Sequence, residues 1–352
     1  MDDFDAIIVG GGPSGASAAF FLKRICPEMS VAVVERLDGG KYGRYHRMCG
    51  EGMSKATFDA LAPLQPEHVV HHITKAREVW PGGTVLVAAV EGYILDRTEL
   101  FRGILARFRA AGGVILNDAV DVIRKEGGGF VVSTTSLRKL RCRYLIGADG
   151  THSMVRRTLF KEEPPAVIWA DQYLVDQKLD PDTITFIQGE RYKGAYRWEF
   201  PSGDMARIGF PRGTDEAPRN AVEIHRRAIP IGGLDRIVDG NAMLVGDAAA
   251  LANPLTAGGL RVAMLSGRRA AESIAAGDPR RYQEWWQFSP FSNSIYMSAY
   301  RRFMSMTDQD YARAARPFRR PYSAIRMAFG YLLMPEYRDV IRAYVTSDRY
   351  GW

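Results

Sequence analysis

Short apolar runs punctuated by glycine alternate with segments of helical period along the first half of the chain. Residues 5–9 (DAIIV) and 31–35 (VAVVE) are brief and apolar, the pattern of buried strands. Between them, residues 13–25 carry Ala and Phe on a 3.6-residue period, which predicts a helix. Strand, glycine turn, helix and strand in this order make a βαβ unit. Residues 38–52 form a glycine-rich connection and 53–62 a short helix, and 76–90 predict two strands around the turn Pro81-Gly82-Gly83. Residues 97–111 are an amphipathic helix closed by Gly112-Gly113. Strands follow over 114–135, with a turn at 127–129, and over 142–148.

The texture changes from about residue 164. Pro164-Pro165 opens a stretch of alternating segments, among them 183–188 and 205–210, which Pro211 and Pro218 close. This predicts a mostly antiparallel domain inserted into the first. A buried strand returns at 242–247, a helix covers 256–276, and 280–352 is helical and rich in Arg and aromatics. The fold class is therefore α/β: a Rossmann-like dinucleotide-binding domain from 1–75, 91–160 and 240–279, an inserted antiparallel β-sheet substrate domain from 76–90 and 161–239, and a helical C-terminal cap over 280–352.

Composition constrains the rest. The 352 residues are 46% hydrophobic and 25% charged, ordinary for a globular chain, with a net charge of +7. That excess suits anionic partners but singles none out. Three scattered cysteines, Cys26, Cys49 and Cys142, show no metal-binding spacing, so no metal is expected, and a count this low argues for a reducing compartment. The N-terminus lacks a signal-peptide pattern, and no apolar run is long enough to cross a bilayer; even 323–335 is interrupted by Arg326. A cytoplasmic protein follows, with a peripheral place at the inner face of the membrane compatible with it.

The candidate chemistry begins at Gly10-Gly11-Gly12-Pro13-Ser14-Gly15, a G-x-G-x-x-G run between a strand and a helix. Gly10 serves the tight turn, Gly12 the approach of a pyrophosphate, and Gly15 the packing of helix on sheet. Glu35, followed by Arg36, ends the second strand, where its carboxylate would accept hydrogen bonds from ribose hydroxyls and repel a 2′-phosphate. The ligand is thus FAD or NAD rather than NADP. Three further junctions select FAD. Arg97 opens a helix within reach of a phosphate or a flavin edge; Asp149-Gly150 ends a strand; Gly246-Asp247 precedes Gly258-Gly259, with Asp247 suited to a ribityl hydroxyl. The helix after Gly259 would turn its positive end toward a reduced flavin.

In this order and spacing the junctions resemble the glutathione-reductase-type FAD fold in its aromatic-hydroxylase branch, over about residues 1–280. No second G-x-G-x-x-G follows a strand, so electrons would come from an external donor such as ferredoxin, a deazaflavin or NAD(P)H. Two more segments narrow the branch. Cys49-Gly50-Glu51-Gly52 partly reproduces a C-x-G-x-G pattern, and Tyr196-Arg197-Trp198-Glu199-Phe200-Pro201 reproduces Tyr-x-Trp-x-Phe-Pro in full. Together they resemble the geranylgeranyl reductase family, including digeranylgeranylglycerophospholipid reductases. The resemblance implies an FAD-dependent reductase saturating isolated double bonds of prenyl chains, with a prenyl lipid as substrate. It implies that Cys49, with Gly50 beside it, faces the flavin as the catalytic residue. It also implies that Tyr196, Trp198 and Phe200, on one face of a strand, line an apolar tunnel. A monooxygenase or halogenase on the same fold, and a non-catalytic FAD-bound redox sensor or partner-binding module, are the competing expectations. In the tail, Trp285, Trp286, Phe288, Phe291, Tyr296, Tyr300 and Phe303 crowd one stretch, with Arg301, Arg302, Arg316, Arg319, Arg320 and Arg326 interleaved or following. A cavity cap is the first expectation there and a membrane surface the second; no nucleic-acid partner is expected.

Overall fold

The computed structural model describes residues 1–47, 49–318 and 324–350. The expected Arg319-Arg320 pair lies outside the described residues. The chain opens with β1 (Asp2–Val9), α1 (Pro13–Ile25) and β2 (Val31–Glu35), the βαβ unit read from the pattern, followed by α2 (Gly39–His46), β3 (Gly52–Ser54) and α3 (Lys55–Asp59). A long hairpin, β4 (Val69–Trp80) and β5 (Thr84–Leu95), leads into α4 (Arg97–Ala110). Then come β6 (Val114–Asn117), β7 (Val120–Glu126), β8 (Gly129–Thr134) and β9 (Lys139–Gly147). Five strands follow: β10 (Ala166–Val175), β11 (Thr183–Ile187), β12 (Arg197–Ser202), β13 (Met205–Pro211) and β14 (Ala221–Ile231). Short β15 (Val238–Asp239) and β16 (Ala242–Leu244) precede α5 (Leu260–Ala275). The chain ends in α6 (Arg280–Phe288), α7 (Ile295–Met304), α8 (Asp308–Ala314), α9 (Ala324–Leu333) and α10 (Arg338–Tyr350).

Two sheets organise these elements. In the first, β16, β9, β1, β2 and β6 run parallel, with β15 at one edge and the β7–β8 hairpin joined to the start of β9. The second half of β1, Ala6–Val9, and all of β2 are buried, which is why they read as apolar runs. Helices α1 and α5 meet where side chains are small: a Cβ on Gly267 would collide with the α1 backbone at Ser14, and Ser17 Oγ donates to Met264 O at 2.6 Å. The second sheet has the order β14-β10-β13-β12-β11-β4-β5-β3 and is antiparallel except where β11 pairs with β4. It draws on chain from Gly52 to Ile231, with α4 and the whole β6–β9 run between its first and last parts.

Two local expectations differ from the structure. The connection 38–52 contains helix α2, hidden in the pattern by its three glycines. Tertiary contacts hold it against weak propensity: Tyr42 is buried and its hydroxyl donates to Gly11 O at 2.9 Å. The expected helix over 53–62 instead starts as strand β3, which pairs with β5 from Gly52↔Ile94 to Ser54↔Gly92, and only Lys55–Asp59 is helical. The C-terminal helices wrap the end of β4. Trp80, 1% exposed, lies among Phe303, Tyr311, Phe318 and Tyr344.

Candidate functional site

A cavity of about 1000 Å³ is lined by residues of both sheets and of the C-terminal helices. Its first stretch is the β1–α1 turn. Gly10 has φ +101°, and a Cβ there would stand 2.8 Å from the Ala148 carbonyl carbon, so the turn is closed to other residues. Gly15 is not in the wall; a Cβ on it would strike the Gly10 carbonyl and lie 3.1 Å from Ala148 Cβ, which makes it the contact of helix and turn. Gly12, Pro13 and Ser14 line the cavity, and α1 starts there without a side-chain cap. Its first N–H groups are therefore available to an anion.

Glu35 and Arg36 line the cavity one strand over. Glu35 accepts from Gly11 N at 2.5 Å and from Leu37 N at 2.7 Å. Burial pushes its carboxyl up, and those two donors pull the other way. Arg97 is 2% exposed, its Nη2 is 3.3 Å from His46 Nδ1, and its Nε has no partner. No carboxylate pairs with it among the described residues. His46 does not compete as a cation, since burial and then Arg97 drive its pKa down to about 2. A buried guanidinium with an orphaned N–H beside a bare helix start is the donor set an anionic pyrophosphate requires.

The middle of the cavity comes from three strand ends. Asp149 and Gly150 line it; Asp149 Oδ2 accepts from Met154 N at 2.6 Å and Val155 N at 3.2 Å, while buried Oδ1 has no partner. Gly246 (φ +58°) stands behind the wall, where a Cβ would be 2.7 Å from Ser14 Oγ. Asp247 lines the cavity and pairs with Arg227 Nη2 at 3.0 Å. Gly258 and Gly259 line it too and end at the start of α5, which also has no side-chain cap. These groups line one cavity, with unpartnered polar atoms at Arg97 Nε and Asp149 Oδ1.

Beyond it, Cys49 and Gly50 enter the wall on a loop that the second sheet holds. Arg207, 7% exposed on β13, donates to Arg47 O at 2.7 Å and Cys49 O at 3.4 Å and pairs with Glu51 Oε2 at 2.6 Å. Gln172 adds a bond to Arg47 O at 3.3 Å and accepts from Trp198 Nε1 at 3.3 Å. Burial pushes the Glu51 carboxyl up to about 7, against the pull of Arg207. Glu51 itself sits at φ +62° and donates its N–H to Cys49 Sγ at 3.4 Å. Gly50 and Gly52 leave room for a side chain rather than for a ligand: a Cβ on Gly50 would be 2.6 Å, and one on Gly52 3.2 Å, from the Phe200 ring.

Tyr196, Trp198 and Phe200 all line the cavity. Arg197 and Glu199, between them, turn away and pair with each other at 2.9 Å, Arg197 also with Asp215. Phe186 from β11 joins the aromatic wall, edge-on to Tyr196 at 5.2 Å and to Phe200 at 5.5 Å. Ala76, Ala88 and Val90 extend it, and Phe291, Tyr296 and Tyr344 of the C-terminal region close it. Pattern alone did not point to Arg207, Glu51, Arg227, His46 or Glu78. Each is a lone polar residue in its segment, and only the fold brings it to this wall; the glycines flanking Glu51 were the one signal near at hand.

No family model matches the chain. Digeranylgeranylglycerophospholipid reductase 1 of Methanopyrus kandleri is 28% identical over 329 residues, covering 81% of this chain and 86% of the relative. A geranylgeranyl bacteriochlorophyll reductase-like protein from Thermoplasma acidophilum superposes with a TM-score of 0.81 at 21% identity, over 97% of this chain and 99% of its own. A probable FAD-dependent monooxygenase from Pseudomonas aeruginosa has the same fold at 19% identity and a TM-score of 0.66, over 88% of this chain and 99% of its own. The match along the sequence favours the reductase branch over the oxygenase one: the chain is similar to the digeranylgeranylglycerophospholipid reductases and resembles the geranylgeranyl reductase family.

Proposed function

We propose that this protein holds FAD along the groove from Glu35 to Gly259 and saturates isolated C=C bonds of prenyl chains, those of archaeal-type membrane lipid precursors first among them. One observation carries the reading. The residues suited to a dinucleotide and the aromatic, apolar side chains line one cavity, and Cys49 and Gly50 are in its wall. A prenyl chain has no hydrogen-bonding group along its length, so walls such as Tyr196, Trp198, Phe186 and Phe200 are what can hold it.

Within that cavity the α1 start and Arg97 would hold the pyrophosphate, Glu35 the ribose, and Asp247 the ribityl chain. When bound and reduced in this cavity, such a cofactor would supply hydride chemistry for one alkene carbon. Cys49 Sγ carries the proton for the other carbon, with the Glu51 N–H fixing the sulfur and Arg207 fixing the loop. The aromatic wall excludes water and accommodates cationic character on the alkene. Electrons reach the flavin from an external donor. No helix among the described residues is long and apolar enough to cross a membrane. A lipid substrate would be collected through α9, where Phe329, Leu332 and Leu333 are 57%, 63% and 75% exposed.

The test is anaerobic incubation of the dithionite-reduced, FAD-loaded protein with a geranylgeranyl lipid, followed by mass spectrometry. Stepwise gains of two mass units are expected. Their absence with every prenyl substrate, from a protein that retains FAD, overturns the assignment.

A further inference from the structure

Among the aromatic and aliphatic side chains of the tunnel wall stands a carboxyl with no cationic partner among the described residues. On β4, Ala76 and Glu78 face the cavity in alternation, and Glu78 lies opposite Phe186 of β11 and Leu86 of β5. Glu78 Oε2 accepts two hydrogen bonds, from Trp80 Nε1 at 2.9 Å and from the Tyr344 hydroxyl at 3.1 Å. Gln188, also in the wall, donates to the Tyr344 hydroxyl at 3.5 Å. Both donors converge on one oxygen, and Oε1 has no hydrogen bond among the described residues. No cation pairs with this carboxyl among the described residues either. An ionised carboxylate here would carry an uncompensated charge in an apolar wall, a cost that is avoided by keeping the proton. Burial pushes the Glu78 carboxyl up in agreement with that, and the two donors only partly offset it. In the neutral carboxyl Oε2 is the carbonyl-type oxygen that accepts both bonds, and Oε1 carries an O–H without an acceptor.

We propose that Glu78, with Gln188 and Tyr344, forms a subsite in the tunnel for an uncharged oxygen-bearing group, a hydroxyl or a carbonyl, carried by the prenyl substrate. The inference rests on the prenyl-binding reading of the cavity and sharpens it. A pure hydrocarbon end would leave the Glu78 O–H unsatisfied, and a phosphate would set anionic oxygens beside a carboxyl with no paired cation. A site built around hydrogen bonds rejects an analogue lacking the matching group more strongly than an apolar pocket rejects an added one. Three elements far apart in sequence converge on the subsite: β4, the end of β11 and α10.

The experiment measures binding, not turnover. FAD-loaded protein is titrated calorimetrically with geranylgeraniol, geranylgeranial, the C20 hydrocarbon of the same unsaturation, and geranylgeranyl phosphate. The alcohol or the aldehyde should bind at least about tenfold tighter than the hydrocarbon and than the phosphate. Which of the two leads tells hydroxyl from carbonyl. Glu78→Met, close in volume, should bring alcohol, aldehyde and hydrocarbon within about twofold of one another, while Glu78→Gln, which still donates and accepts, should keep the preference. Retained flavin absorbance and circular dichroism establish that each variant is folded. Equal affinities in the unaltered protein, a preference for the phosphate, loss of the preference in folded Glu78→Gln, or its survival in folded Glu78→Met overturns the subsite. The unaltered protein and Glu78→Gln decide the matter if Glu78→Met does not fold. Absence of binding by all four probes overturns the prenyl reading itself and the subsite with it; equal binding overturns the subsite alone.

Discussion

The Phe200 ring lies so close to Gly50 that a Cβ there would stand 2.6 Å from its Cδ2. The cysteine loop and the aromatic strand, 150 residues apart, are thus built as one piece. Gly50→Ala should destabilise the fold by about 1–3 kcal/mol through overpacking. Phe200→Leu combined with it should return part of that loss, giving a coupling energy in a double-mutant cycle of denaturant unfolding. Additive effects would mean that the ring and the loop do not depend on each other.

Glu51 gives the protein a pH dependence of definite sign. Its pKa rises from an ordinary 4.5 to about 7 in the folded state. The folded chain therefore binds this proton where the unfolded chain has released it. The associated stability is complete below about pH 4.5 and is lost as pH rises through about 7, amounting to roughly 3 kcal/mol. Unfolding free energies of Glu51→Gln measured from pH 4 to pH 8 should lack this slope.

Arg207→Met should cost about 1–3 kcal/mol at pH 8, because without its cation the buried Glu51 carboxyl takes up a proton and the loop loses a charge-assisted hydrogen bond. It also removes the donor that holds the Arg47 and Cys49 carbonyls. Folded Arg207→Met should therefore react faster with iodoacetamide at Cys49, followed by mass spectrometry of the labelled peptide. An unchanged rate would mean that the loop is held by Gln172 alone.

Arg97→Met should weaken retention of FAD by about 10–100-fold, the loss expected for a buried charge-assisted contact to a phosphate. Titration of apoprotein with FAD, read by flavin fluorescence, checks this. The helix should survive, since its cap is Asp96 Oδ1, which accepts from Glu99 N at 3.1 Å.

Cys49→Ala should retain FAD and lose about 100-fold or more in turnover with a geranylgeranyl lipid, as for removal of a positioned proton donor. Single-turnover kinetics with prereduced protein checks it. Turnover equal to that of the unaltered protein would move the proton to another source.

Leu332→Glu together with Leu333→Glu should reduce co-sedimentation with anionic vesicles by about tenfold or more while leaving unfolding transitions in place, because both side chains are exposed.

The dinucleotide half of this protein was determined locally. A short apolar strand, three glycines and a helix of 3.6-residue period define the β1–α1–β2 unit, because the contacts that matter fall within about thirty residues. The alternation at Tyr196, Trp198 and Phe200 likewise settled which side chains share a face, since a strand turns every second residue the same way. What tertiary structure alone decided is what those faces meet. Helix α2 forms against its glycines because Tyr42 finds Gly11. Gly50 is small because of Phe200. Arg207 and Glu51 find each other across more than 150 residues, and Glu78 meets Tyr344 across 266. Periodicity records which way a side chain points. Which partner waits there depends on how distant segments pack, and no local pattern carries that information.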